Sequence, residues 1–86
     1  MTSEKKILVK NSTQKRVVLI LEPWAEQYIL QPGVTVELRQ IDSTDTTIVE
    51  IEYLHDCITV YSGGVVTVFC NGEKLSPVHP WIDQEK

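Results

Sequence analysis

The amino-acid sequence predicts an all-β domain: an antiparallel β-sandwich of seven to eight short strands, with a small β-barrel as the alternative. Three observations carry this expectation. Apolar residues recur with period two rather than 3.6. The apolar runs are rich in Val, Ile, Thr and aromatics. Turn-forming residues separate the runs at short, regular spacing.

The elements follow in order. "KILVK" (6–10) is the first run and ends at Asn11-Ser12-Thr13. "RVVLILE" (16–22) stops at Pro23, which has no N–H for a ladder. "QYIL" (27–30) leads to Pro32-Gly33, suited to a type II turn because Pro fixes φ and Gly accepts φ > 0. In "VTVELRQI" (34–41), Val34, Val36 and Leu38 are expected to face in and Thr35, Glu37 and Arg39 to face water. After Asp42-Ser43-Thr44-Asp45, "TTIVEIEY" (46–53) is expected to turn Val49, Ile51 and Tyr53 inward and Glu50 and Glu52 outward. His55-Asp56 leads into "CITVY" (57–61), and Gly63-Gly64 reads as a hairpin turn into "VVTVFC" (65–70). Asn71-Gly72 is a strong two-residue hairpin signal, so Lys74 and Leu75 should form a short last strand on 65–70. No segment shows a helical stripe, although "PWAEQ" suits a single turn with Pro23 at its first position.

Eighty-six residues read as one domain, 1–86, with 77–86 as a C-terminal tail. Although 42% of the residues are hydrophobic, a domain of this size buries only roughly 60–65% of its unfolded surface. That favours surface recognition over a deep catalytic cleft, so the expectation is a protein that is not an enzyme. "VVLIL" and "VVTVF" are apolar on both faces, so something is expected to cover their outer sides. The candidates are the segment Val78–Ile82, a second copy of the chain, or another protein.

The net charge is −4, unevenly placed. Lys5, Lys6, Lys10, Lys15 and Arg16 against Glu4 give residues 1–16 a charge of +4, leaving −8 over residues 17–86. The overall sign opposes phosphate backbones, and no nucleic acid is expected as a partner. Phe69 has no basic neighbour in sequence nearer than Lys74, which argues the same way. The early lysines read as an edge strand protected against aggregation, or as a strand facing the acidic one of Glu50 and Glu52. No secretory apolar region follows Met1 and no run approaches the ~20 residues of a membrane span, so a cytoplasmic location without membrane contact is expected. Asn11-Ser12-Thr13 matches the glycosylation pattern, which has no consequence without export.

Three constellations bear on chemistry. Glu22 and Glu26 form a carboxylate pair of the kind that divides acid and base roles, but the chain lacks a sugar cleft, and they read as solvated strand-end charges. His55, Cys57, Cys70 and His79 supply the ligand types of a metal or thiol site, which is the alternative function. Turn histidines and buried reduced thiols are the preferred reading, with no cofactor. "SGGV" lacks the Lys and following helix of a phosphate loop.

The remaining distinctive residues are Trp24, Tyr28 and Trp81. Trp and Tyr are enriched at interface hot spots. With Glu22 and Glu26 they make the candidate binding set: Glu22, Trp24, Glu26 and Tyr28 at one end of the sandwich, and Trp81 as a second anchor. The expected function is a small protein-interaction module, binding a protein partner or itself as a homodimer. An acidic inhibitor or immunity-type protein that blocks a basic surface is a close variant.

The positions Asn11, Leu21, Glu22, Pro23, Trp24, Ala25, Glu26, Tyr28, Leu30, Pro32 and Gly33 make a pattern, L-E-P-W-(G/A)-E-x-Y-x-L-x-P-G after an Asn turn. With "ITVYSGGVVTVFCNGEKL", it resembles short bacterial all-β proteins with no established activity. The resemblance spans most of residues 7–75, and departs at Ala25, where Gly is expected. It implies a single all-β domain of bacterial type and no mechanism.

Overall fold

The computed structural model describes residues 3–42 and 48–78. Its eight strands are β1 (Ser3–Lys10), β2 (Val17–Glu22), β3 (Glu26–Leu30), β4 (Thr35–Asp42), β5 (Val49–Leu54), β6 (Cys57–Ser62), β7 (Val65–Cys70) and β8 (Glu73–Lys74). Sheet I has the order β1-β4-β7-β8 and sheet II the order β3-β2-β6-β5. The two sheets pack face to face as a sandwich, the preferred of the two architectures expected, and do not close into a barrel.

Local turn chemistry explains the strand limits. Gly33 takes φ 82°, and the Val34 N–H donates to the Gln31 carbonyl at 3.1 Å, which closes the turn at Pro32. Asn71 and Gly72 take φ 52° and 81°, as a two-residue hairpin between Cys70 and Glu73 requires. The last strand is Glu73–Lys74, and the Leu75 N–H continues its ladder to the Val68 carbonyl. Residues 23–25 form a turn and no helix.

The core lies between the sheets: Leu19 and Leu21 of β2, Tyr28 and Leu30 of β3, Val36 and Leu38 of β4, Val60 of β6 and Val68 of β7. Val36 and Leu38 point inward and Thr35 outward, as alternation predicts. Gln40 shares their inner face, and its Nε2 donates to Ser62 Oγ across the two sheets at 2.6 Å. The β2 strand is central, and its outward Val18 is buried as well.

Asn11 closes the other end. It is 2% exposed, and its Nδ2 donates to the Lys15 and Leu30 carbonyls. Its Oδ1 accepts from the Thr13 N–H and hydroxyl. This side chain is a structural tie, which leaves no amide free for a sugar.

Five expectations are corrected. First, β2 pairs with β6 in parallel, in contrast to the antiparallel pairs elsewhere, because the chain visits sheet I between them. Second, the lysine-bearing β1 does not face Glu50 and Glu52; it pairs with β4 in sheet I, whereas those glutamates lie in sheet II. It is an edge strand, as its lysines imply. Third, Gly63-Gly64 is no hairpin turn but the corner at which the chain leaves sheet II for sheet I. Ser62 Oγ holds it, accepting from the Gly64 N–H and donating to the Gly64 carbonyl, both at 3.1 Å. A Cβ at Gly64 would meet the Ile41 carbonyl at 3.1 Å. Fourth, Ile51 and Tyr53 share the inner face of sheet II with Val60 and Ile58, yet they are 52% and 66% exposed. They sit on an edge strand that sheet I does not cover. Fifth, Phe69 does have a basic neighbour: Arg39 of β4 stacks over its ring at 3.8 Å from the centroid and pairs with Glu37.

Candidate functional site

The stretch from Leu21 to Tyr28 forms the β2–β3 turn. Leu21 is fully buried and pairs with Glu26. The Glu22–Pro23 peptide is cis, and Ala25 takes φ 56°. The left-handed conformation that Gly would favour is therefore present with Ala in place. Between these anchors Trp24 is held at the turn, 43% exposed.

Glu22 and Glu26 are not brought together. Glu26 lies opposite Leu21 on the inner side, whereas Glu22 is outward and pairs with Tyr61 of β6. The Tyr28 hydroxyl donates to Glu26 Oε1 at 3.1 Å. Burial first, then the Glu26 charge and that hydrogen bond, push the Tyr28 phenol well above its ordinary pKa. Tyr28 is a core residue with a polar end, not an exposed recognition residue. Glu26 holds it in place.

Glu22 instead belongs to a cluster that sequence separation hides. Tyr61 lies between Glu22 on β2 and Glu50 on β5, with Glu52 alongside. The Tyr61 phenol is raised by desolvation, and then by the charges of Glu52, Glu22 and Glu50. The outer face of sheet II is therefore acidic around an exposed aromatic ring, and Trp24 follows it two residues beyond Glu22. Only the strand register reveals this grouping.

The alternative metal or thiol set is dispersed. Cys57 is buried in sheet II, its Sγ 3.8 Å from Thr59 Oγ1. Cys70 is in sheet I, its thiol directed at the Thr35 carbonyl at 3.7 Å, and both thiols are free. His55 occupies an exposed turn at φ 49°. Among the described residues no group of three or more His, Cys, Asp or Glu side chains is arranged to hold a metal. His79 and Trp81 lie outside the described residues.

Two shallow depressions lie on the surface of the described residues. One, of about 320 Å³, lies beside Leu8, Glu37, Arg39 and Phe69 on sheet I. The other, of about 340 Å³, opens between Tyr28 of β3 and Val66, Leu75 and Pro77 at the β7–β8 side. Comparison with protein-family models, with curated proteins and with solved structures gave no match, so function has to be read from this chain's own surface.

Proposed function

We propose that this chain is a non-enzymatic protein-interaction module that offers Trp24, with the acidic face of Glu22 and Tyr61 beside it, to a basic surface of a partner protein. The exposure of Trp24 on a braced turn carries the reading. A large aromatic held by buried Leu21 on one side and by the Glu26–Tyr28 bond on the other loses little freedom on binding. The −8 charge over residues 17–86 supports a basic partner and, with it, the inhibitor or immunity-type variant.

Trp24→Ala tests this. Its exposure predicts a stability loss of about 1 kcal/mol or less, while a partner retained by the immobilised wild-type protein at low salt is lost. Glu22→Lys should weaken the same retention and leave the thermal midpoint nearly unchanged. A stability loss of several kcal/mol on Trp24→Ala would instead make Trp24 a packing residue, and the proposal would fail.

A further inference from the structure

We infer that the free edge of β1 is a docking site for an extended acidic segment of another protein. The segment adds to sheet I as an antiparallel strand, with carboxylates beside Lys6 and Lys10 and an apolar residue beside Leu8. This edge lies in sheet I and shares no residue with the Trp24 surface.

Among the sheet edges, β1 has the most unpaired backbone to offer. It runs for eight residues, and no described strand lies on its outer side. β8 is two residues long, and β3 already accepts the Val78 N–H at the Gln27 carbonyl, at 2.8 Å. β5 borders the acidic face around Tyr61. An open edge of the length of β1 is a template for another strand, and strand addition is a recurrent mode of peptide recognition.

The ladder tells which groups are free. The Asn11 N–H donates to the Val34 carbonyl at 2.9 Å, in the same register that sets Lys10 opposite Thr35. Hydrogen-bonded and non-bonded pairs alternate along an antiparallel ladder. Val9 and Ile7 therefore direct their N–H and C=O to β4, whereas Lys6, Leu8 and Lys10 direct theirs to the open side. The same three residues turn their side chains to the outer face of sheet I, where all are exposed, Leu8 by 68%. Free backbone groups and free side chains thus sit on one set of residues.

Their chemistry decides what fits. Among the described residues, Lys15 and Arg39 have carboxylate partners in Asp56 and Glu37, and Lys6 and Lys10 have none. Lysines on an edge deter a second copy of the same strand and attract an acidic one. An antiparallel strand sets one residue directly opposite each of Lys6, Leu8 and Lys10. The residues between lie on the inner face beside Ile7 and Val9, which are only half-buried against the core. The complementary order is therefore acid, apolar, apolar, apolar, acid. A large apolar residue at its centre packs on Leu8, at the rim of the depression that continues to Arg39 and Phe69. The acidic strand β5 does not match, because Glu50 and Glu52 are two residues apart rather than four. Glu22 and Glu26 have the spacing but flank a turn. The occupant is thus a strand from a different protein.

NMR titration of the full chain with a blocked synthetic peptide, Thr-Glu-Val-Leu-Val-Glu-Thr, tests the proposal. Shift changes and new protection from exchange are expected at the amides of Lys6, Leu8 and Lys10, while the bonded amides of Ile7 and Val9 gain little. N-methylation of the central Leu keeps every charge but removes the donor to the Leu8 carbonyl, and should weaken binding roughly tenfold. Lys6→Glu/Lys10→Glu should lose this peptide and bind the version with Lys in place of Glu, which also shows that the variant is folded. Wild-type protein should not bind the Lys version. No binding at about millimolar peptide, indifference to N-methylation, changes centred outside β1, or equally tight binding of an oligothymidylate of the same charge would each overturn it.

Discussion

Ala25 occupies φ 56°, a region in which a Cβ is crowded at a cost of about 1–2 kcal/mol. The buried Leu21 and the Tyr28–Glu26 bond hold the turn there in spite of it. Ala25→Gly removes the crowding but loosens the unfolded chain, so a net gain of about 1 kcal/mol is expected. A domain of this size converts that into a rise of roughly 4–8 °C in thermal midpoint. An unchanged or lower midpoint would mean that the turn is not under strain. Tyr28 gives a second prediction at this scale. Its phenol stays protonated in the folded protein to higher pH than in the unfolded chain, where tyrosine ionises near about 10. Below that pH its contribution is fully present; above it the unfolded state gains by ionising and stability falls. Urea midpoints measured from neutral to alkaline pH should therefore decline above about pH 10. The decline should be shallower in Tyr28→Phe, which keeps the ring and loses the titrating group.

At the scale of the element, β5 is where side-chain period and burial part company. Alternation correctly sets Ile51 and Tyr53 opposite Glu50 and Glu52, but it cannot say whether the other sheet reaches that far. Both residues are more than half exposed. In the monomer, Ile51→Ser or Tyr53→Ser should change stability by about 0.5 kcal/mol or less. Leu19→Ala, at a fully buried position on the central strand, should cost about 2–5 kcal/mol. Comparable losses at all three positions in urea melts of dilute protein would show that sheet I does cover β5. The same division separates what was legible from what was not. Strand positions and the turns at Pro32-Gly33 and Asn71-Gly72 are local properties, written in propensity and φ preference. Strand partners are not local. The parallel β2–β6 pair, the placement of Arg39 over Phe69 and the meeting of Glu22 with Tyr61 and Glu50 depend on register between segments tens of residues apart. Whether the aromatics of the candidate set are core or surface was likewise not written locally. Trp24 is exposed on a braced turn, whereas Tyr28 belongs to the core, because its place opposite Leu19 on β2 turns it inward.

At the scale of the whole molecule, the segment after β8 joins the two layers on the side of the short edge. Leu75 extends the sheet I ladder through Val68, and three residues later Val78 donates to Gln27 on β3, an edge strand of sheet II. Pro77 and Val78 are half-buried on the way. A chain ending at Ser76 loses that hydrogen bond, a net contribution of about 0.5–1.5 kcal/mol, and about 1 kcal/mol of apolar burial at the two side chains. It also uncovers the backbone of β3, so both a lower thermal midpoint and greater aggregation on heating are expected. Val78→Pro separates the two effects, since it keeps the segment and removes only the donor. It should show part of the stability loss with less aggregation than the shortened chain. If neither change moves the midpoint, the segment does not tie the layers together, and the β3 edge must be tolerated bare. That result would leave β3 as open an edge as β1 and β5 are among the described residues.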